Sequence, residues 1–216
     1  ADVAVFSFHP IKNMTTGEGG MILCADAAMA ARMRRLRFHG ISRDVWKRYS
    51  KGGTPQFEVD EPGFKYNMLD LQAAIGLHQF AKLEGFNERR GELAARYDEL
   101  FSRVPEIRPL GRAAYPHRHA WHLYVVRLEL EAVNLTRDEF LAKLQEEQIG
   151  TGLHFPAVHL QRFYREKYGY APGDYPNAEW NSERLFSIPL YPLLEEQDQL
   201  DVVEAMRRII RRHRKA

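Results

Sequence analysis

The chain has 216 residues, of which 44% are hydrophobic and 28% are charged, and 31 basic against 29 acidic side chains give a formal net charge of +2. This length suits one sizeable core or two smaller ones, and the balanced charge argues against a chain-wide nucleic-acid surface and against an acidic disordered chain. The single cysteine, Cys24, excludes an internal disulfide framework and a cysteine-based zinc cluster.

No segment is long and apolar enough to span a membrane. Charged residues interrupt every apolar run before the roughly 20 residues that a membrane helix needs, so we expect no membrane insertion. The N-terminal string ADVAVFSFHP lacks the basic region of a signal peptide and begins within an apolar, strand-like run. We therefore expect a cytoplasmic protein, and a sequence that is cut from a longer chain.

The first part of the chain predicts two strands, one helix and a long loop. Residues 4–8 and 21–24 are short apolar runs rich in aromatic and branched side chains, and the Gly-rich segment between them is typical of a loop. Asp26 is suited to cap a helix that Gly40 would end. Residues 41–62 show no periodicity and contain several Gly and Pro residues, which indicates an extended loop.

The remainder predicts a long helix and then alternating strands and helices. A helical pattern starts at Asp70 and is expected to bend or break near Gly85. Three prolines after residue 104 mark a boundary, so we predict one domain over residues 1–105 and a small α/β domain over residues 106–216. The second domain is predicted to contain strands at 122–130 and 150–155 and helices at 136–147, 160–168 and 198–213.

Lys12 is the first candidate for chemistry. It follows the predicted strand by four residues and precedes the run TTGEGG, so it lies on a tight loop at a strand end, where α/β sheets place ligand sites. Ser7, five residues earlier, carries a hydroxyl that can bind an anion. A lysine amine can form a Schiff base with a carbonyl cofactor, but a lysine beside a Gly-rich turn is more often an ordinary solvated side chain. The residues alone indicate a candidate anion or Schiff-base site.

Six strings, in the same order along nearly the whole chain, resemble the DegT/DnrJ/EryC1/StrS family of sugar aminotransferases. They are FSFHPIKNMTTGEGG, RFHGISRD, PGFKYNMLDLQAAIGLHQF, HAWHLYVVRL, IGTGLHF and NAEWNSERLFSIPLYP. The resemblance implies an α/β fold, the fold type I of enzymes dependent on pyridoxal 5′-phosphate, with the chain covering the C-terminal part of the large domain and the small domain. The strings KYN, TGLHF and WNSERLFSIPLYP are most similar to members that aminate the 4-keto pentose of a UDP-sugar in lipid A modification.

The resemblance also implies roles for individual residues. Lys12 would form a Schiff base with pyridoxal phosphate and move a proton between the amino donor and the cofactor. Ser7 would bind the cofactor phosphate, and His154 would contact the nucleotide-sugar substrate. The implied reaction moves an amino group from glutamate to a keto sugar nucleotide and leaves 2-oxoglutarate. The family expectation is a homodimer, and because complete members are longer, we expect the isolated chain to be inactive.

One departure from the family pattern concerns the cofactor of the neighbouring subunit. The family string G-x-N-Y-R-M contains an Asn that reaches this cofactor's phosphate, whereas the string here is GFKYNM, with Lys65 at the position of that Asn. A lysine binds phosphate as a point charge. Asn67 lies two residues later and would project from the same side of an extended segment. Either residue could bind the phosphate.

Several other residues have structural interpretations. We expect Trp121 and His122 to pack at a strand start, His9 to shape the lysine loop, and Glu179 to form a surface ion pair or a cap. The basic C-terminal string RRIIRRHRK is more typical of a solvated helix end than of a nucleic-acid site. The nine histidines show no metal-ligand spacing, so we predict no metal.

Three alternatives to the aminotransferase remain open. The chain could be a non-catalytic assembly or sugar-nucleotide-binding module that has kept the fold and lost the chemistry. It could act on a different sugar, such as a 4-keto hexose, because this would require only a changed pocket. Some family members are dehydratases with His in place of the lysine, and the presence of Lys12 argues against this last reading.

Overall fold

The structure, a computed structural model, describes residues 2–41, 51 and 57–215. These form two compact units, Ala1–Glu84 and Gly85–Ala216, and each is described here by itself. Both combine short strands with helices, as the α/β prediction requires. The predicted domain boundary near residue 105 stays a prediction, and most of the predicted loop over residues 41–62 lies outside the described residues.

The first unit contains the two predicted strands. β1 (Val3–Ser7) and β2 (Gly20–Cys24) pair antiparallel, with Ser7 opposite Gly20 at the end where the lysine loop connects them. The unit also contains the helices α1 (Ala27–Leu36) and α2 (Asp70–Phe80). The strand pairing explains why the loop between them must fold back on itself within a short distance.

Helix α1 begins as predicted and ends earlier than predicted. The Asp26 carboxylate accepts hydrogen bonds from the backbone N–H groups of Ala28 and Met29, at 2.7 and 2.9 Å, which is the expected N-cap. The helix ends at Leu36, where Gly40, with a φ of 68°, donates its N–H to the Arg35 carbonyl at 2.9 Å, and the Leu36 carbonyl accepts from the N–H of Phe64 at 2.6 Å. A neighbouring segment therefore takes the carbonyl that a longer helix would have used.

The long helical pattern is broken, but not at the predicted glycine. Helix α2 ends at Phe80, and a second helix, α3 (Leu83–Phe101), begins three residues later. Gly85 lies inside the first turn of α3, with open space where a Cβ atom would be. The predicted break in the helix is thus confirmed, but it lies about one turn before the predicted position near Gly85.

The second unit is built around a three-stranded antiparallel sheet. Its order is β3 (Ile107–Pro109), β4 (Tyr124–Leu128) and β5 (Leu185–Ile188). β4 is central and alternates, with its first, third and fifth residues buried, which is the pattern of a strand with one face on a core. The helices are α4 (Arg137–Glu146), α5 (Arg162–Tyr168), α6 (Pro176–Ser182) and α7 (Glu196–His213), with a 3-10 turn at Val158–Leu160.

One hydrophobic core joins this sheet to α3, α4 and α7. The side chains of Tyr97 on α3, Tyr124 on β4 and Phe140 on α4 are among its largest fully buried members. The Thr136 hydroxyl caps α4 by accepting from the N–H of Glu139, and the Glu139 carboxylate accepts from the N–H of Thr136. No helix among the described residues is both long and apolar enough to cross a membrane.

The strand predicted at residues 150–155 is wrong. Only Gly152 in this segment pairs, in an isolated bridge with Ser187, while β5 forms the ladder with β4. Three of the four β5 residues are buried, whereas His154 and Phe155 are exposed. Residues 150–155 therefore lie beside β5, where Gly152 and Ser187 exchange backbone hydrogen bonds at 3.1 and 2.8 Å, and do not form a strand of their own.

Candidate functional site

Lys12 lies on a loop that is closed by its own backbone. The Phe8 N–H donates to the Gly19 carbonyl at 2.9 Å, and the Thr16 N–H donates to the Phe8 carbonyl at 3.1 Å. Within this closure the Lys12 N–H donates to the His9 carbonyl at 3.0 Å, and the Lys12 side chain is half-buried. The loop thus holds one lysine at a fixed place beside the end of β1, as the sequence predicts.

Ser7 and His9 belong to the same turn. The His9 N–H donates to Ser7 Oγ at 3.4 Å, and His9 Nδ1 accepts from the N–H of Ile11 at 3.3 Å. His9 therefore braces the turn, in keeping with its expected role. Because Ser7 Oγ serves as an acceptor here, its O–H remains as a donor for an anion.

Helix α2 supports this loop through contacts that the sequence analysis missed. Thr16 is 2% exposed and packs closely against Gly76 of α2. A Cβ atom added at Gly76 would lie only 2.9 Å from the methyl carbon of Thr16. Gln72 Nε2 donates to the Glu18 carbonyl at 2.9 Å, and Gln72 Oε1 accepts from the N–H of Leu69 at 2.9 Å. Gly76, one turn after Gln72 on α2, was the available signal in the sequence.

Lys65 and Asn67 have different surroundings. The Lys65 ammonium lies 4.2 Å from the centre of the Phe38 ring, which is a cation–π contact. Asn67 lines a groove of about 640 Å³ together with Tyr66, Met68 and residues of β2. Its Oδ1 is buried without a hydrogen-bond partner among the described residues, and its Nδ2 has only a 3.5 Å contact with the Met68 carbonyl. The groups that can donate to a ligand are therefore Asn67 Nδ2 and the Lys65 ammonium, whereas Asn67 Oδ1 can only accept.

The polar groups of the first unit suit a phosphorylated carbonyl compound. Lys12 offers an amine and Ser7 a hydroxyl donor. An amine reacts with an aldehyde, and hydroxyl and amide donors bind phosphate oxygens. Across residues 2–41, 51 and 57–215, no three His, Cys, Asp or Glu side chains form a group that could hold a metal ion.

His154 lies in the second unit at one end of a shallow groove. Its Nε2 is hydrogen-bonded to Ser187 Oγ at 2.9 Å, which fixes the orientation of the ring. The groove has a volume of about 260 Å³ and is lined by His154, Phe155, Pro156, Ala157, Val158, Ala178, Asn181, Ser182 and Leu185. An exposed histidine held by a buried serine beside an apolar groove is a suitable site for a polar ligand with an apolar part.

Glu179 combines the two roles that the sequence predicts as alternatives, an ion pair and a cap. The His159 side chain, which is 7% exposed, donates from Nε2 to Glu179 Oε1 at 2.9 Å. Glu179 also accepts from the backbone N–H groups of Gly173 and Tyr175, so it is a cap as well. The hydrogen bond from His159 lowers the pKa of Glu179 below its ordinary value, and the two backbone donors add to the effect.

Trp121 and His122 are held by a buried cation. Arg90, which is 6% exposed, donates from Nη1 to the carbonyls of Trp121 and His122 at 3.0 and 3.3 Å, and to that of Leu190 at 2.9 Å. Burial lowers the pKa of Arg90. The backbone of Trp121 has a φ of 47°, which is unusual for a non-glycine residue. These contacts agree with the expected packing role of both residues.

Three known proteins are similar to this chain over nearly its whole length. An uncharacterized protein, MJ1066 of Methanocaldococcus jannaschii, is 44% identical over 214 residues, which are 99% of this chain and 55% of that protein. The PLP form of Spr1654 from Streptococcus pneumoniae is 26% identical with a TM-score of 0.86, over 98% of this chain and 52% of that one. The sugar aminotransferase CalS13 from Micromonospora echinospora is 25% identical with a TM-score of 0.76, over 95% and 52%.

The matches agree on the fold and the cofactor class. This chain spans about half the length of the relatives that it matches. The structural neighbours have the type I fold of PLP-dependent aminotransferases, which confirms the predicted fold class, and members of the family use pyridoxal phosphate. The model of the DegT/DnrJ/EryC1/StrS aminotransferase family matches residues 1–207, and the chain therefore belongs to that family.

Proposed function

We propose that this chain is part of an aminotransferase that moves an amino group from glutamate to the keto group of a nucleotide sugar. The observation that carries the proposal is Lys12, a half-buried lysine on a self-closed loop at the end of β1. Family membership and the similarity to a sugar aminotransferase support it. The products are an amino sugar nucleotide and 2-oxoglutarate.

Lys12 and Ser7 hold pyridoxal phosphate. The Lys12 amine would anchor the cofactor at its aldehyde carbon with release of water, and the Ser7 hydroxyl, whose proton is free to be donated, would bind a phosphate oxygen. When bound, the cofactor supplies an electron sink that stabilises negative charge at the substrate carbon. Once displaced by the amine of glutamate, Lys12 Nζ would take the proton from the α-carbon and pass it to the cofactor, and in the opposite direction it would move a proton from the cofactor to the sugar carbon, so one amine would serve as anchor and as general acid and base.

A second subunit completes the phosphate site in this proposal. Asn67 and Lys65 are the candidates to reach the phosphate of the neighbouring cofactor in a homodimer. Asn67 Nδ2, which has one long contact, and the Lys65 ammonium, which lies on the Phe38 ring, both have N–H groups that can donate to a phosphate oxygen. Asn67 Oδ1 can only accept and does not contribute to phosphate binding, so either residue can serve.

His154 contacts the nucleotide-sugar substrate. The hydrogen bond to Ser187 keeps its ring in one orientation at the groove of the second unit. We propose the 4-keto pentose of a UDP-sugar as the acceptor, the substrate of UDP-4-amino-4-deoxy-L-arabinose–oxoglutarate aminotransferases. The corresponding role is in lipid A and lipopolysaccharide modification and in the antibiotic resistance that follows from it, in the cytoplasm.

Replacing Lys12 tests the reaction in the complete protein that contains this chain. Lys12→Ala is expected to abolish amination of the UDP-4-keto pentose with glutamate, because both the anchor and the base are lost. Lys82→Ala, which removes an exposed lysine between α2 and α3, is the matched control and should keep full activity. Retention of a tenth of the wild-type rate by Lys12→Ala would refute the assignment, and a faster reaction with a 4-keto hexose would change the substrate.

A further inference from the structure

One side chain of α2 ties this helix to the loop that carries Lys12. Gln72 Nε2 donates to the Glu18 carbonyl at 2.9 Å, between residues that are 54 positions apart in the chain. The other end of the same carboxamide, Oε1, accepts from the N–H of Leu69 at 2.9 Å and caps the start of α2. Gln72 therefore joins two backbone segments, and each end of its carboxamide has its own partner.

The Glu18 carbonyl is the point at which Gln72 contacts the loop. This carbonyl also accepts from the Thr16 hydroxyl at 2.7 Å, so two donors share one oxygen. Thr16 is buried, and its methyl carbon occupies the space that a Cβ atom at Gly76 would need. Because Gly76 is four residues after Gln72, both residues lie on one face of α2, and this face packs directly on the loop.

The part of the loop that is bound to α2 also holds the segment that contains Lys12. The Phe8 carbonyl accepts from the Thr16 N–H at 3.1 Å and from the Thr15 hydroxyl at 3.0 Å. Residues 9–14 therefore run between two ends that are hydrogen-bonded to each other, and Lys12 lies between these ends. Because the ends are joined, a movement of Thr16 relative to α2 displaces the Lys12 segment as well.

From these contacts we propose that Gln72 is a positioning residue for Lys12, which acts through the Glu18 carbonyl and keeps the lysine amine where it meets the cofactor aldehyde. The inference rests on the proposed function and adds to it a residue outside the lysine loop. A loop that is already fixed to a helix has less conformational freedom to lose when the cofactor attaches to its lysine. The hydrogen bond from Nε2 carries this role, since the bond to Oε1 lies within the start of α2.

Titration of the complete protein with pyridoxal phosphate tests this role, with attachment followed by the visible absorbance of the Schiff base and located by borohydride reduction and peptide mapping. Gln72→Glu keeps an acceptor for the Leu69 N–H and places a carboxylate oxygen, which cannot donate, against the Glu18 carbonyl. Gln72→Met removes both hydrogen bonds with a side chain of similar length. We expect each variant to weaken attachment at Lys12 about tenfold, the effect of about one hydrogen bond. Gln79→Glu, which makes the same chemical change two turns later on α2, is the matched control and should attach the cofactor like the wild type.

Urea unfolding of the same proteins separates positioning from a general loss of structure. The midpoint of Gln72→Glu should stay close to that of the wild type, because the cap of α2 is kept. Unchanged attachment in either variant, or a fall in the midpoint large enough to account for the weaker attachment, would overturn the inference. Attachment involves no turnover, so a label on Lys12 with the expected losses, together with no amination of a keto sugar nucleotide, would refute only the proposed reaction. A label on another lysine in the wild type would refute both.

Discussion

Arg90 provides the sharpest test of how the second unit holds the segment before β4. Its guanidinium donates to three backbone carbonyls from one nitrogen, which has two protons, so the contacts amount to about two charge-assisted hydrogen bonds. At about 1.5–3 kcal/mol each they contribute about 3–6 kcal/mol. Removing the buried cation also removes the cost of its desolvation, which offsets part of this loss. Burial lowers the pKa of Arg90 because of that same cost. We expect Arg90→Met to cost about 2–4 kcal/mol.

Urea unfolding followed by circular dichroism measures this loss. The midpoint should fall while the slope with urea stays constant, because the surface exposed on unfolding is nearly unchanged. Arg89→Met is the matched control, since Arg89 is 38% exposed, pairs with Glu92 and has one long contact with the Leu194 carbonyl. It should cost less than about 1 kcal/mol. Equal losses in the two variants would refute the argument that burial makes the Arg90 bonds valuable.

Four further substitutions have expected signs. Gly76→Ala should destabilise the protein by up to about 2 kcal/mol, because overpacking against Thr16 outweighs the helix propensity gained, whereas Gly85→Ala, with open space around it, should stabilise by about 0.5–1 kcal/mol. Thr136→Ala should cost about 1 kcal/mol in urea unfolding, because the N-cap of α4 is lost. Glu179→Gln should lower stability at neutral pH, and its difference from the wild type should shrink in acid.

The pH dependence of Glu179 follows from the direction of its pKa shift. The folded-state pKa is below the ordinary value of 4.5, so the carboxylate stabilises the fold above that value and loses its contribution as the pH falls through the lowered pKa. Thermal unfolding from neutral pH to about pH 3 measures the difference, and a gap that widens in acid would contradict the reasoning. Stabilisation by Gly76→Ala would contradict the overpacking argument, and an unchanged stability of Thr136→Ala would contradict the capping argument.

Local signals were sufficient for several elements. Asp26 and Thr136 cap α1 and α4 through side chains that bond to N–H groups two or three residues away, so a short window of sequence contains the whole interaction. The two strands that flank the lysine loop are equally local, since their apolar runs and the Gly-rich segment between them are adjacent. These predictions are confirmed.

The features that the sequence did not predict depend on contacts between residues that are far apart in the chain. The end of α1 includes a hydrogen bond from Phe64, a residue almost thirty positions away, and residues 150–155 join the sheet through the Gly152–Ser187 bridge beside β5. The candidate site also combines residues that the sequence predicts with residues that only the packing reveals. The resemblance located Lys12 and His154, whereas the support from Gln72 and the groove residue Asn181 emerged only with the packing.

Borohydride reduction of the complete protein with pyridoxal phosphate, followed by peptide mapping, tests the central claim most directly. The account predicts one labelled peptide, with the reduced cofactor fixed on Lys12, and no label there in Lys12→Ala. Label spread over exposed lysines such as Lys82, or a single label on another lysine, would contradict the claim that the self-closed loop after β1 is the cofactor site.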